Sequence, residues 1–297
     1  MNLFSISQLS RFSGIKPHTI RIWEKRYNAL KPIRSEGNTR YYDGEQLRRL
    51  LNIVTLSKSD KKVSELSRLT DQKLNKLITN LYAGKDQPGM EETFISQLVS
   101  AGLNYDEEGF EKVFAHCILK YGMKAAYQKV LYPLLDRVGL MWSDRSIPPA
   151  QEHFLSNLIR QKILTAIDYL PSPGTDLAPW ILFLPEAEFH EIGLLMAHYF
   201  IRSSGCASVY LGANVPLASV RHTIRARKPA NLLLFMVHND DPEKTEAYLK
   251  ELKRIFNKKI FIAGNRDLLS EIRMVQPFNW LGSVEALENV LHPRLSN

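Results

Sequence analysis

Apolar positions along this chain recur every three to four residues as far as Leu170 and then give way to short unbroken apolar runs, so two kinds of architecture are predicted in succession. Ile6, Leu9 and Phe12 recur on one face after Ser5, a favoured N-cap, and Gly14 closes the segment, which predicts a short capped helix. Pro17 then stands where a first helical position tolerates a missing N–H, and His18 to Tyr27 carries Ile20, Trp23 and Tyr27 on one side, with Trp23 read as core. Two short extended pieces around Glu36-Gly37-Asn38 predict a hairpin with Arg34, Arg40 and Tyr41 near its tip. Asp43-Gly44-Glu45 leads into a helix with Leu47, Leu50, Leu51, Ile53, Val54 and Leu56, and Val63-Ser64-Glu65-Leu66 starts another. The order helix, turn, helix, hairpin is that of a winged helix-turn-helix, assigned to residues 1–78.

Gly, Pro and charge interrupt the periodicity between Ala83 and Gly89. Beyond it, apolar residues again recur at three and four in Phe94, Ile95, Leu98, Val99, in Phe110, Val113, Phe114, Cys117, and in Val130, Leu131, Leu134, Val138, predicting a bundle of about four helices over residues 86–170. Pro171-Ser172-Pro173-Gly174 marks the second boundary. After it, the runs Ile181–Leu184, Ser208–Leu211, Leu232–Val237 and Ile260–Ala263 alternate with helical stretches over 191–203, 217–226, 243–256 and 268–274. Near-continuous apolar strands between amphipathic helices predict a parallel sheet covered on both faces, a Rossmann-like domain over 178–297, with ligands received at the carboxyl ends of its strands.

Charge sharpens this reading. Of the 39 Lys+Arg and 31 Asp+Glu, residues 1–78 hold 16 and 7, a net of +9, and the rest hold 23 and 24, a net of −1. A basic head on a near-neutral body suits a polyanion bound at one end, because clustered cations release counterions from a phosphate backbone. The outward side of the second helix offers Lys16, His18, Thr19, Arg21, Lys25 and Arg26, types that bond phosphates and base edges in a major groove. No run of 18 apolar residues occurs, and Met1-Asn2-Leu3-Phe4 leads directly into the first helix with no room for a signal peptide, so a cytoplasmic protein without a membrane anchor is expected. Cys117 and Cys206 have neither metal-ligand spacing nor a disulfide pattern, and there is no P-loop, dinucleotide fingerprint or nucleophile elbow.

The block Phe4-Ser5-Ile6, Gly14-Ile15, Thr19-Ile20-Arg21-Ile22-Trp23-Glu24-Lys25-Arg26-Tyr27, Leu30, Pro32, Arg34 and Asn38-Thr39-Arg40-Tyr41-Tyr42 resembles the DNA-binding head of the MerR family of transcriptional regulators. The resemblance implies base-facing roles for Lys16, His18 and Thr19, and phosphate-facing roles for Arg21, Arg34, Arg40 and Tyr41.

After the first strand of the sheet stands Glu186-Ala187-Glu188-Phe189-His190-Glu191-Ile192-Gly193. His190, in the loop before a helix, could ligate a metal, act as a base or cap that helix, and Gly193 permits close backbone approach. Trp142 is followed after nine residues by Glu152-His153, and this arrangement with Glu188-x-His190-x-x-Gly193 resembles the cobalamin-binding MerR regulators of the CarH and LitR type over essentially the whole chain. That resemblance implies adenosylcobalamin as cofactor, His190 as lower cobalt ligand, and Trp142, Glu152 and His153 enclosing the upper face. It implies a repressor, not an enzyme, that binds a double-stranded operator as a homo-oligomer and leaves it when light cleaves the cobalt–carbon bond. The chain departs from the family in three places: Glu188 stands for an aspartate, Phe235-Met236-Val237-His238 replaces a smaller Ser-containing element and could block the nucleotide tail, and Ala263-Gly264 replaces a glycine pair. Those departures define an alternative, a cobalamin-independent MerR-type repressor whose Rossmann-like domain serves oligomerisation or partner binding. A cobalamin-dependent methyltransferase or mutase module is a third reading, opposed by the DNA-binding head.

Overall fold

The computed structural model describes residues 3–34, 39–58, 61–83, 90–143, 147–173, 178–237, 241–264 and 278–292. Glu36-Gly37-Asn38, His238 and the helix expected over 268–274 lie outside the described residues. By Cα proximity the chain forms two compact units, Met1–Leu158 and Ile159–Asn297.

The first unit begins with α1 (Ile6–Ser13), whose N-terminus carries a capping box: Gln8 N–H donates to the Ser5 hydroxyl at 3.3 Å, and Ser5 N–H donates to Gln8 Oε1 at 2.7 Å. Helix α2 (Pro17–Tyr27) follows, starting on Pro17 and ending at Asn28 in the left-handed region. Strands β1 (Ile33–Arg34) and β2 (Arg40–Tyr41) pair antiparallel as the wing. An Asp43 cap starts α3 (Gly44–Ser57), followed by α4 (Val63–Leu66) and α5 (Asp71–Ala83). Arg49 on α3 donates to the carbonyls of Ala29, Ser67 and Leu69 and to Asp71, so one guanidinium ties the post-α2 loop to α4 and α5.

Four further helices match the predicted bundle: α6 (Met90–Leu103), α7 (Glu107–Ala126), α8 (Tyr132–Ser143) and α9 (Pro149–Asp168), with a π turn over Tyr127–Leu131 joining α7 to α8. Phe94, Leu98, Phe110, Val130, Leu131 and Leu134 form its interior. The head packs on this bundle: Arg137 of α8 makes a two-pronged bond to Glu92 of α6 at 2.7 and 2.9 Å and reaches the Phe12 carbonyl at 3.4 Å.

The second unit contains β3 (Trp180–Pro185), α10 (Glu191–Ser203), β4 (Ser208–Val215), α11 (Leu217–Arg227), β5 (Asn231–Met236), α12 (Pro242–Ile255), β6 (Lys259–Gly264), β7 (Asn279–Leu281) and α13 (Val284–Leu291). All strand pairs are parallel, in the order β4-β3-β5-β6-β7. The sheet therefore has a fifth strand that sequence reading missed, since Asn279-Trp280-Leu281 is too short to register as an apolar run. β3 is buried throughout, as expected for a central strand covered on both faces. The connection after β3 runs to β4 on one side and the connection after β5 runs to β6 on the other, so a crevice opens between the carboxyl ends of β3 and β5, the kind of place where such sheets receive ligands.

Candidate functional site

The loop after β3 enters that crevice. His190 occupies the N-cap position of α10, yet its side chain makes no capping hydrogen bond, which removes the helix cap from the three roles open to it. Its Nδ1 lies 2.6 Å from Glu188 Oε1. A carboxylate only accepts, so this contact places a proton on Nδ1, and in the neutral ring the lone pair is then on Nε2. Glu188 is itself buried, at 5% exposure, and is held by three backbone N–H groups: Phe189 and His190 donate to Oε1 at 2.9 and 3.0 Å, and Val237 beyond β5 donates to Oε2 at 2.8 Å. The extra methylene of Glu188 lets the carboxylate span from the β3 loop to β5. The His190 side chain remains 56% exposed.

This donor set selects the kind of metal it could meet. Among the described residues, no three His, Cys, Asp or Glu side chains converge as a metal cage. A single oriented imidazole fits a metal that arrives with its own equatorial ligands, as cobalt does in a corrin. Gly193 explains its place in the motif: a Cβ there would sit 2.6 Å from Phe235 Cε1, so the Phe235 ring lies directly on α10. The ring fills space where the expected element is smaller. Gly264 has φ of +125° and a Cβ built on it would strike the Met236 carbonyl, so the one glycine kept of the expected pair is the one the backbone requires.

The start of α10 is anchored by residues that sequence reading gave no role. Tyr210 on β4 donates to Glu191 Oε1 at 2.7 Å, and Arg160 Nε lies 3.2 Å from Glu191 Oε2, a charge contact outside hydrogen-bond alignment. Burial first, and then the Glu191 carboxylate, push the Tyr210 phenol far above its ordinary pKa. On the bundle, Trp142 is 49% exposed and the His153 side chain 67% exposed, so neither is a core residue. His153 Nδ1 contacts Glu152 Oε2 at 2.7 Å, a second carboxylate-oriented imidazole.

In the head, Ile20 is fully buried while Lys16, His18, Arg21, Lys25 and Arg26 are exposed, so α2 presents the predicted polar face outward. Thr19 and Trp23 are half-buried, and Arg34 is exposed. Arg40 and Tyr41 lie on β2, half-buried; Arg40 Nε donates to Glu24 Oε1 at 2.9 Å and Tyr42 O–H to Glu24 Oε2 at 2.7 Å. One carboxylate on α2 thus fixes the wing strand against that helix, a positioning role for Glu24 that no sequence pattern announced. Burial and Glu24 hold the Tyr42 phenol well above its usual range, so it stays a donor.

These features define a winged-helix head, a helical bundle and a parallel sheet, and comparison with known proteins gives the head and the bundle their class. Residues 4–73 match the MerR HTH family regulatory protein model, and residues 95–165 match the B12 binding domain model. The chain therefore carries a MerR HTH head, a type that binds DNA, followed by a B12-binding domain. It is homologous over 84% of its length to two transcriptional repressors of Myxococcus xanthus: the HTH-type repressor CarH, at 27% identity over 254 residues and 84% of that protein, and the HTH-type repressor CarA, at 28% and 82%. The Methanosarcina barkeri monomethylamine corrinoid protein superposes with a TM-score of 0.53 at 17% identity, covering 68% of this chain and 98% of that one, which establishes a shared fold.

Proposed function

We propose that this protein is a DNA-binding transcriptional repressor whose C-terminal half senses adenosylcobalamin. The observation that carries the reading is the Glu188–His190 pair at the sheet crevice, in a chain whose head presents the exposed cations of α2. His190 Nε2 would hold cobalt, Glu188 keeping the imidazole in one tautomer and one orientation. Glu191, clasped by Tyr210 and Arg160, would fix the start of the helix that carries the ligand. Trp142, with Glu152 and His153, would supply the upper-face surface, its exposed indole being large and flat enough to cover an adenosyl group. When bound, adenosylcobalamin supplies a visible chromophore and a photolabile cobalt–carbon bond.

Lys16, His18 and Thr19 would face bases, and Arg21, Arg34, Arg40 and Tyr41 the phosphates. The protein would act as a homo-oligomer in the cytoplasm, several heads on one assembly raising operator occupancy through effective concentration, and it would catalyse no reaction. Among the described residues no helix is long and apolar enough to cross a membrane.

The test is to mix purified protein with adenosylcobalamin in the dark, desalt, and record spectra before and after illumination, alongside gel shifts on a promoter fragment. A retained, light-bleachable chromophore and light-sensitive DNA binding are expected. The Phe235 ring against Gly193 favours a second reading, a cobalamin-independent repressor using its sheet for oligomerisation. A colourless desalted protein that still binds promoter DNA would establish that reading instead.

A further inference from the structure

The near-zero net charge outside the head conceals a local excess. Residues 225–231 (Arg-Ala-Arg-Lys-Pro-Ala-Asn) and 253–259 (Lys-Arg-Ile-Phe-Asn-Lys-Lys) hold seven cations and no Asp or Glu. Topology brings the two runs together. The first ends α11 and enters β5, the second ends α12 and enters β6, and the entering residues Asn231 and Lys259 pair directly in the sheet. Lys258 Nζ donates to the Pro229 carbonyl at 3.0 Å, and Lys253 Nζ to the Lys258 carbonyl at 3.3 Å, so the two loops form one edge. This edge lies at the amino ends of the strands, opposite the Glu188–His190 crevice.

The edge is concave: Lys253, Lys258 and Lys259 line a hollow of about 590 Å³ together with Asn231, Asn257 and Asn279. Arg225, Arg227, Lys228 and Lys259 are exposed, and among the described residues none of them has an ion pair. Helix C-termini favour cations, which accounts for Arg225, Arg227, Lys253 and Arg254 in last turns. Lys228, the C-cap of α11, adds a further cation in the left-handed conformation at φ +47° before a proline, where glycine or asparagine would be less strained.

We infer that this edge is a second contact surface for duplex DNA, gripping backbone phosphates without reading sequence. Lysines act as point charges on phosphate oxygens and the amide side chains add neutral donors, the chemistry of positioning contacts. The inference rests on the head being a DNA binder, since a head already on the duplex presents the adjoining phosphates at high effective concentration.

The test uses the full chain and a long promoter duplex, measuring affinity against salt. Replacing these four exposed cations together (Arg225→Gln, Arg227→Gln, Lys228→Asn, Lys259→Gln) should flatten the slope of log K on log salt by about 2–4, close to 0.9 per lost phosphate contact, with a loss of about tenfold or more in affinity at low salt. A control removing equal charge elsewhere (Lys112→Gln, Lys129→Gln, Lys244→Gln, Lys250→Gln) should leave the slope within about 1 of wild type, and a charge-conserving set (Arg225→Lys, Arg227→Lys, Lys259→Arg) should retain it. A slope in the edge variant equal to the control's overturns the second surface while leaving the head reading intact. A wild-type chain that binds no duplex overturns both.

Discussion

Glu188→Gln tests the organisation of the crevice most directly, because the amide copies the shape of the carboxylate but can offer its oxygen at only one of two places. With the oxygen at Oε1 it keeps the contacts to Phe189 N, His190 N and His190 Nδ1. Each becomes a neutral hydrogen bond, worth roughly half of a charge-assisted one, for a combined loss of about 1.5–3 kcal/mol. The amide nitrogen then faces Val237 N–H, donor against donor, in the place of a 2.8 Å bond, a penalty of about 1–3 kcal/mol. Removing a buried charge returns part of its desolvation cost, leaving a net destabilisation of about 2–3 kcal/mol. For the unit Ile159–Asn297 this corresponds to a drop of about 6–12 °C in its melting step, with the step of Met1–Leu158 unmoved. With a neutral amide oxygen in place of the carboxylate on its Nδ1, His190 should lose about 10–100-fold in cobalamin affinity by spectroscopic titration. A Glu188→Gln protein that melts within about 2 °C of wild type and takes up cobalamin equally well would refute the reasoning.

Three further outcomes are expected. Gly193→Ala should destabilise by about 1–3 kcal/mol in urea unfolding, because its Cβ would meet Phe235 Cε1 at 2.6 Å, and Phe235→Leu in the same chain should recover most of that loss. His198, stacked on Tyr210, is held by burial and then by Arg202 to a pKa of about 4, below the ordinary 6.5. An unfolded chain takes up this proton between pH 6.5 and 4 while the folded ring refuses it, so the contribution is whole above pH 6.5 and is lost as pH falls toward 4. Its ceiling is about 3 kcal/mol, reduced to about 1–2 by partial solvent access, and His198→Leu should flatten the stability profile from pH 7 to 4.5 by that amount. Arg137→Ala should cost about 1–3 kcal/mol in Met1–Leu158 by stranding the half-buried Glu92, and Arg137→Ala with Glu92→Ala should cost less than the two single changes added together.

How much of this was legible in advance follows from the range of the interactions involved. Local rules found the Ser5 cap, Pro17 at a helix start, the two paired strands of the wing, the bundle and the alternation of strand and helix, because caps and hydrophobic period act over a few residues. The motif after β3 was visible for the same reason. β7 escaped because three residues carry no period, and the basic edge escaped because its two halves lie 28 residues apart in sequence, from Arg225 to Lys253.

The order of elements, the polar face of α2 and the pairing of a DNA-binding head with a ligand-receiving sheet were thus written in the sequence alone. Only the tertiary structure decided that Glu188 reaches both His190 and Val237, that Glu24 fastens the wing to α2, that Phe235 lies on Gly193, and that Arg137 seats the head on the bundle. Each of these joins side chains from separate elements, and a hydrogen bond or ring contact forms only when packing has brought both partners within a few ångströms. Sequence spacing cannot state that condition, because the distances are set by the core beneath them.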